Sequence, residues 1–580
     1  MKDKIGKLIH SLCTIIGALF LLLIIGITVL SMLRGSGKYV EPHSMLVINF
    51  EDKFSETSEV SLIDEINGVN KLNFLKLLQS IGYAAIDENI DGIIARIEIT
   101  DLDLAQIQEL TQAISNFKKS GKKTYVFSKG FGPLGQGNRE YYLASFFDKI
   151  YMQPHTTIGL TGIDIEIPFG RKVLDKIGVN PEFYSRYEYK NAMASFTDEK
   201  ISAPYKENMQ ALAQNLMYVM EVGITANRHL ETDFYEIVNQ APLTAEDGKK
   251  LDLVDDLMYL SEVEELLKKE GIKHFVSIFD YASLIHSNTG NLPQIAVLTL
   301  NGIINDGESS TDLDGEYVIG SDSVISDLEE IKNLPNLKAL IVRINSPGGS
   351  YNAADEIYFA LKQLKKEKHI PIVVSQSGYA ASGGYFISLA GDKIITEPLT
   401  ITGSIGVLGG KFVLKGLWDK LGINWEDIKV GNNADILSVN KPFSESEKQI
   451  FNASLDEVYK DFTAKVIENR KLKGDIEEIA RGRVWTGYQA IKIGLVDSFG
   501  GYSEALKYAL DKGGVNVNEK YKIAVYPQEK SFREKLYELL LTGNTSINKI
   551  ISENGVDIRY LKLFKRLQYD TVMLPFNVNM

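Results

Sequence analysis

An α/β protein made of two tandem copies of one parallel-sheet unit, carried behind a single N-terminal transmembrane helix, is the architecture this sequence predicts. Three observations predict it. The chain has 580 residues, too many for one compact core. An internal repeat runs through most of its length, and one charge-free apolar run stands near its start.

That run extends from Leu8 to Leu33, with only His10 and small polar groups interrupting the apolar residues. At 1.5 Å per residue it spans ~39 Å, enough to cross a hydrocarbon core of roughly 30 Å with some tilt. A cleavable signal peptide has a shorter apolar region ending in a small-residue motif, whereas Ser31-Met32-Leu33-Arg34 closes this one. Residues 1–35 are therefore expected to be a cytoplasmic stub and an uncleaved anchor. Lys2, Lys4 and Lys7 precede the span and Arg34 and Lys38 follow it, a mild bias that leaves the short end in the cytoplasm and the remainder outside. Gly35-Ser36-Gly37-Lys38 looks like the end of a phosphate loop. Met32 occupies the place of that motif's first glycine and Tyr39 that of its hydroxyl residue, so the fragment reads as a linker.

The repeat follows. Adding 244 carries Asp148-Lys149 onto Asp392-Lys393, Pro154 onto Pro398, Gly159 onto Gly403, Gly162 onto Gly406 and Asp175-Lys176 onto Asp419-Lys420. Small gaps shift the offset elsewhere: Ile94-Ala95-Arg96 meets Ile341-Val342-Arg343 at 247, and Leu253-Val254-Asp255 meets Leu495-Val496-Asp497 at 242. Each copy opens with an apolar strand-like run, Ser44 to Phe50 and Gln294 to Leu300, and then alternates helical stretches with β-rich runs such as Ala339 to Ile344 and Ile370 to Val374. The βαβα order argues for parallel sheets covered by helices. The expected units are 44–272 and 293–518, joined by a linker from about Lys273 to Leu292. A tail over 519–580 would hold a strand-like Tyr521 to Tyr526, a helical Ser531 to Leu541 and a basic aromatic run from Tyr560 to Tyr569.

Composition narrows the function. Net charge is −13, from 63 Lys+Arg against 76 Asp+Glu, the wrong sign for a nucleic-acid partner. A mean hydropathy of −0.08 excludes a multi-span membrane protein. The single cysteine, Cys13, excludes an intramolecular disulfide, a Cys-based zinc cage and a Cys-X-X-Cys pair.

Chemistry is sought where the copies disagree. Directly after a buried strand, the second copy has Asn345-Ser346-Pro347-Gly348-Gly349-Ser350, whose glycines let bare N–H groups face a ligand. The first copy has Ile99, Thr100, Asp101 and Leu102 there. The second copy then has Ala380-Ala381-Ser382-Gly383-Gly384-Tyr385, placing a hydroxyl at a helix amino terminus, where N–H groups and the dipole favour an oxyanion. Asn138 stands in that place in the first copy. Lys190 reverses the pattern, since its counterpart is Ala434. A serine hydroxyl is a weak nucleophile until a base takes its proton, and a lysine amine serves if burial lowers its pKa. Ser404, whose counterpart is Leu160, is a candidate for orienting the amine, alternatively a simple turn serine. The seven histidines (His10, His43, His155, His229, His274, His286 and His369) lie outside these motifs, although a Ser-His-Asp triad can also assemble in space.

Together the anchor, the tandem copies, Asn345 to Ser350, Ala380 to Tyr385 and Thr402 to Gly406 resemble the long form of signal peptide peptidase A, over about residues 40–515. The resemblance implies two tandem Clp protease/crotonase-like domains and a Ser/Lys dyad, with Ser382 as nucleophile and Lys190 as general base. Backbone N–H groups of Gly383 and of Gly348 or Gly349 would form the oxyanion hole. It also implies signal-peptide-like apolar substrates, a bilayer location in the bacterial inner membrane with the catalytic part outside, a homo-tetramer, and no metal or other cofactor. The tail matches no family pattern. Two rivals make different predictions: a crotonase-like acyl-CoA enzyme needs an acidic pair and gives Lys190 no role, and a decayed scaffold would have lost Ser382, Lys190 or the glycines.

Overall fold

The computed structural model describes residues 39–57, 71–132, 135–285, 290–311 and 317–528. The apolar run Leu8–Leu33 and most of the tail, with its expected helical run Ser531–Leu541 and its basic aromatic run Tyr560–Tyr569, lie outside them. Among the described residues no helix is long and apolar enough to cross a membrane.

The repeat is visible as two sheets with the same strand order. In the first sheet the order is Asp256–Leu257, Lys149–Met152, Lys123–Ser128, Ile90–Arg96, Ser44–Asn49 and His274–Ser277, all parallel. In the second, Ser498–Phe499, Lys393–Thr396, Ile372–Ala381, Leu337–Ser346, Gln294–Asn301 and Lys522–Tyr526 follow the same path, also parallel. The antiparallel pair Thr157–Ile158 with Leu243–Thr244 recurs as Ile401–Gly403 with Val484–Thr486, which in the second copy joins the main sheet.

Two boundaries move. The stretch read as a linker supplies the edge strand His274–Ser277, paired with Ser44–Val47, and a helix, Ile278–Leu284, that buries Ile278, Tyr281 and Ala282 against the first core. Lys522–Tyr526, read as part of the tail, is the matching edge strand of the second copy, paired with Gln294–Leu298. The reason is the same in both: each five-strand unit leaves its first strand open on one side, and the next β-rich run fills that edge.

The copies stack. Helices Phe74–Ile86 and Leu104–Lys118 of the first copy lie between the two sheets, so one apolar core holds Leu46, Ile93 and Val126 from the first sheet and Val297, Ile341 and Val373 from the second. Leu104–Lys118 begins with a capping box, in which Asp103 accepts from the Gln106 N–H while Gln106 Oε1 accepts from the Asp103 N–H. Farther out, Ser321–Lys332, Tyr351–Lys368 and Glu445–Asn469 cover the far face of the second sheet. Leu260–Lys269 covers the outer face of the first.

A buried ion cluster crosses the junction. Arg343 of the second copy, fully buried, donates to Glu56 (2.6 and 3.1 Å), Ser375 and Ser377, and stands 2.6 Å from Glu109; both carboxylates come from the first copy. Gln106 and Ser377 also donate to Glu56. Burial pushes Glu56 up, but the charge and hydrogen bonds of Arg343 outweigh it and hold the carboxyl below its usual value. Burial pushes Glu109 up to about 7. Removing one member of such a cluster strands the others, at a cost of roughly 3–5 kcal/mol. Arg343→Met is therefore expected to lower the unfolding free energy of the whole protein by that amount, and Glu109→Gln by clearly less, as read from urea denaturation followed by tryptophan fluorescence.

Candidate active site

Ser382 sits where strand Ile372–Ala381 turns sharply into helix Gly383–Ser388. The turn forces it to φ 56° and ψ −116°, a strained conformation for a residue with a side chain. Two backbone bonds hold it there: its N–H donates to the Gly403 carbonyl (2.8 Å), and its own carbonyl accepts from Phe386 (2.8 Å). Thr402 Oγ1 donates to the Ala380 carbonyl two residues upstream.

The partner of Ser382 comes from the other copy. Strand Asn180–Arg186 of the first copy runs antiparallel along Val407–Val413 of the second, with Arg186 opposite Val407. Four residues beyond Arg186, Lys190 enters the second copy, and its amine donates to Ser382 Oγ at 2.6 Å. The same amine donates to the Ser404 carbonyl at 3.0 Å and to Ser404 Oγ at 3.1 Å. All three acceptors are neutral, and no carboxylate pairs with Lys190 among the described residues. Only 3% of Lys190 is exposed, and burial lowers its pKa from 10.5 to about 7.

The glycines divide. Gly348 N–H is engaged by Ser346 Oγ at 3.2 Å. Gly349 and Gly383 N–H groups meet no protein acceptor among the described residues, and they are neighbours, since a Cβ on Gly383 would stand 3.4 Å from the Gly349 nitrogen. Gly349 must be glycine: at φ 154° its Cβ would lie 1.9 Å from the Ile304 carbonyl oxygen. Of the alternatives Gly348 and Gly349, the geometry leaves Gly349 free to donate.

In the first copy the corresponding place is closed. Asn138 donates to the Gly162 carbonyl and accepts from the Gly162 N–H, so its amide is spent on the loop that answers to Gly406. Among the described histidines none bonds to Ser382; His43 faces Asp91, and His229 and His369 end helices. His10 and His286 lie outside the described residues.

Sequence reasoning missed what docks Lys190. Arg481 offers its carbonyl to the N–H groups of Tyr187 and Tyr189, and its guanidinium pairs with Glu188 at 3.0 Å. Gly482, at φ 87°, lies so close that a Cβ would be 2.4 Å from the Lys190 backbone nitrogen. Arg186 bonds Asp456 and Asn452 of the second copy. A signal for Gly482 was present: subtracting 242 gives Gln240, another place where the copies disagree.

Two tandem units with a serine at a strand-to-helix turn form the frame of a Clp-like serine peptidase. The Peptidase family S49 profile matches residues 116–273 and 364–516, once in each copy, and the Clp protease profile matches 320–398. The chain is 31% identical to "Serine protease SPPA, chloroplastic" of Arabidopsis thaliana over 77% of its own length and 67% of that protein's. It is 31% identical to "Protease 4" of Salmonella typhi (75% and 71%) and 28% identical to "Protease 4" of Haemophilus influenzae (84% and 82%). The chain belongs to peptidase family S49 and is a serine peptidase with two tandem S49 domains.

A buried amine leaves a mark on stability. The unfolded lysine keeps its proton up to its ordinary pKa of 10.5, the folded one only up to about 7. Between those values the unfolded chain binds more protons, so wild-type stability rises with pH there, while below about 7 the full burial penalty is present. Lys190→Met, which lacks that penalty, is expected to gain most over wild type at or below pH 7, with the gain shrinking toward pH 10. Denaturation midpoints of both proteins across pH check this; a gap independent of pH contradicts it.

Proposed function

We propose that this chain is a membrane-anchored endopeptidase that degrades cleaved signal peptides and other apolar peptides through a Ser382/Lys190 acyl-enzyme. The observation that carries the reading is the 2.6 Å contact between Ser382 Oγ and an amine with no ionic partner among the described residues. A neutral amine at this distance takes the hydroxyl proton as the oxygen attacks the scissile carbonyl. The resulting oxyanion meets the Gly349 and Gly383 N–H groups. The protonated Lys190 then gives its proton to the leaving amine, and a water, deprotonated by the same amine, releases the acid half. Ser404 keeps the amine aimed through two acceptors on one residue. It acts as a positioning residue.

The apolar run Leu8–Leu33 supports anchoring, with the peptidase part outside the cytoplasm. An enzyme tethered this way meets peptides that are themselves left in the bilayer. The test uses the full chain in detergent micelles and two fluorogenic peptides of equal length, one apolar with small residues at the cleaved bond, one charged. The apolar peptide is expected to be preferred. Ser382→Ala is expected to abolish hydrolysis, and Lys190→Ala to lower kcat/KM by roughly 10²–10⁴-fold, the range for loss of a general base. Hydrolysis that survives Lys190→Ala in a folded protein would refute the dyad, and a preference for the charged peptide would refute the substrate class.

A further inference from the structure

The copies also disagree at the strand that flanks the lysine loop. Val484–Thr486 of the second copy answers to the first copy's Leu243–Thr244. At the offset of 242, Arg483 stands where the first copy has Ala241, and Val484 where it has Pro242. Tyr189, the residue before Lys190, has Asn433 as its counterpart at 244. Arg483 touches both sides of the amine's setting. Its carbonyl accepts from the Ser404 N–H at 2.8 Å, and Ser404 in turn supplies the amine with a carbonyl and a hydroxyl. Its guanidinium stands over the Tyr189 ring, 3.8 Å from the centroid, with the Trp485 ring at 5.5 Å. A cation this close to an aromatic face is attracted to it, and the planar guanidinium can stack where a lysine ammonium cannot.

The first copy clamps this strand through one turn of helix Ala203–Arg228. Glu207 accepts from Arg483 Nη1 at 2.9 Å and from the Tyr189 hydroxyl at 3.3 Å, so one carboxylate joins both members of the stack. Its side chain is 59% exposed, and such a pair adds little stability. What it does is hold the guanidinium against the ring. The next residue, Asn208, is buried and grips the strand's backbone, donating to the Val484 carbonyl at 2.9 Å and accepting from the Val484 N–H at 3.0 Å. Pro242 has no N–H to give at the matching place in the first copy, and Ala241 has no guanidinium. The ion pairs flanking the lysine loop are Arg186–Asp456, Glu188–Arg481 and Glu207–Arg483, and none of their groups bonds to the amine.

Resting on the dyad reading of this site, we propose that Arg483 is a positioning residue for the Ser382/Lys190 reaction. Its carbonyl fixes Ser404 and its guanidinium, stacked on Tyr189, fixes the backbone that carries Lys190, so one residue sets both the amine and the serine that aims it. Removing the guanidinium leaves the carbonyl in place but frees Tyr189, and with it the lysine stem. The amine then strays from Ser382 and gains water. A misplacement of about 1 Å at a reacting group costs up to about 10²-fold in rate.

The test measures kcat and KM across pH for the full chain in detergent micelles with the apolar peptide. Arg483→Met should lower kcat by about 10–100-fold with KM little changed. The apparent pKa of kcat/KM, expected near 7 in wild type, should move upward toward 10.5 as the amine gains water. Arg483→Lys, which keeps a charge for Glu207 but no plane for the ring, should fall between the two. Tyr189→Leu should lose as much as Arg483→Met, Tyr189→Phe clearly less, and the Arg483→Met/Tyr189→Leu double variant no more than the worse single one. The Tyr189 variants carry the comparison if Arg483→Met does not fold. A wild-type kcat in Arg483→Met and Tyr189→Leu, a lowered kcat with the pH profile unmoved, or single losses that simply multiply in the double variant would overturn the proposal. Lys190→Ala separates the two readings. If it retains activity, the dyad falls and the proposal with it; if it is inactive while the Arg483 and Tyr189 variants match wild type, the proposal alone fails.

Discussion

Everything at the candidate site depends on one amine held in a place where it gains nothing from being charged. Lys190 is surrounded by a serine hydroxyl, a second serine hydroxyl and a backbone carbonyl, with no carboxylate among the described residues to repay desolvation. Burial alone brings its pKa to about 7. A carboxylate beside it would reverse that shift and keep the proton on the amine. The absence of an ionic partner is thus the property that suits this lysine to act as a base, and it makes the site costly in stability. That cost has to be met by the rest of the junction.

The junction meets it by over-determining the position of the lysine loop. Seven cross-copy residue pairs, from Asn180 with Val413 to Arg186 with Val407, fix the strand leading to it. Arg481, Gly482 and Asp456 fix its flank, with Gly482 leaving no room for a side chain. Deeper in the stack, Arg343 binds two first-copy carboxylates, so the sheet that ends in the Ser346–Gly349 loop is tied to the copy that supplies Lys190. A single core running through both sheets makes sliding of one copy on the other a loss of packing over the whole interface. Serine and lysine therefore meet through tertiary structure at a separation of 192 residues in sequence.

Much of this was legible in the sequence because duplication provides an internal comparison. The offset of 244 located both sheets, and differences between copies singled out Ser382, Lys190, Ser404 and the two glycine loops, all of which converge in space. What was not legible has physical reasons. The edge strands His274–Ser277 and Lys522–Tyr526 are short and complete their sheets only through pairing with distant strands, so their local patterns read as linker and tail. The choice between Gly348 and Gly349 depended on one side-chain bond, from Gly348 N–H to Ser346 Oγ, which no spacing reveals. Arg343 looked like an ordinary charge within an apolar strand, because its partners Glu56 and Glu109 lie more than two hundred residues away in sequence.

If Lys190 is the base, the reactivity of Ser382 follows the protonation of an amine from the other copy. The most direct measurement is the rate at which a neutral serine-directed phosphonate labels Ser382 as a function of pH, in wild type and in Lys190→Met. The wild-type rate is expected to climb with pH and level off above an apparent pKa near 7, and the variant to react slowly without that step. A wild-type rate still climbing at pH 10, or an unchanged profile in Lys190→Met, would contradict it.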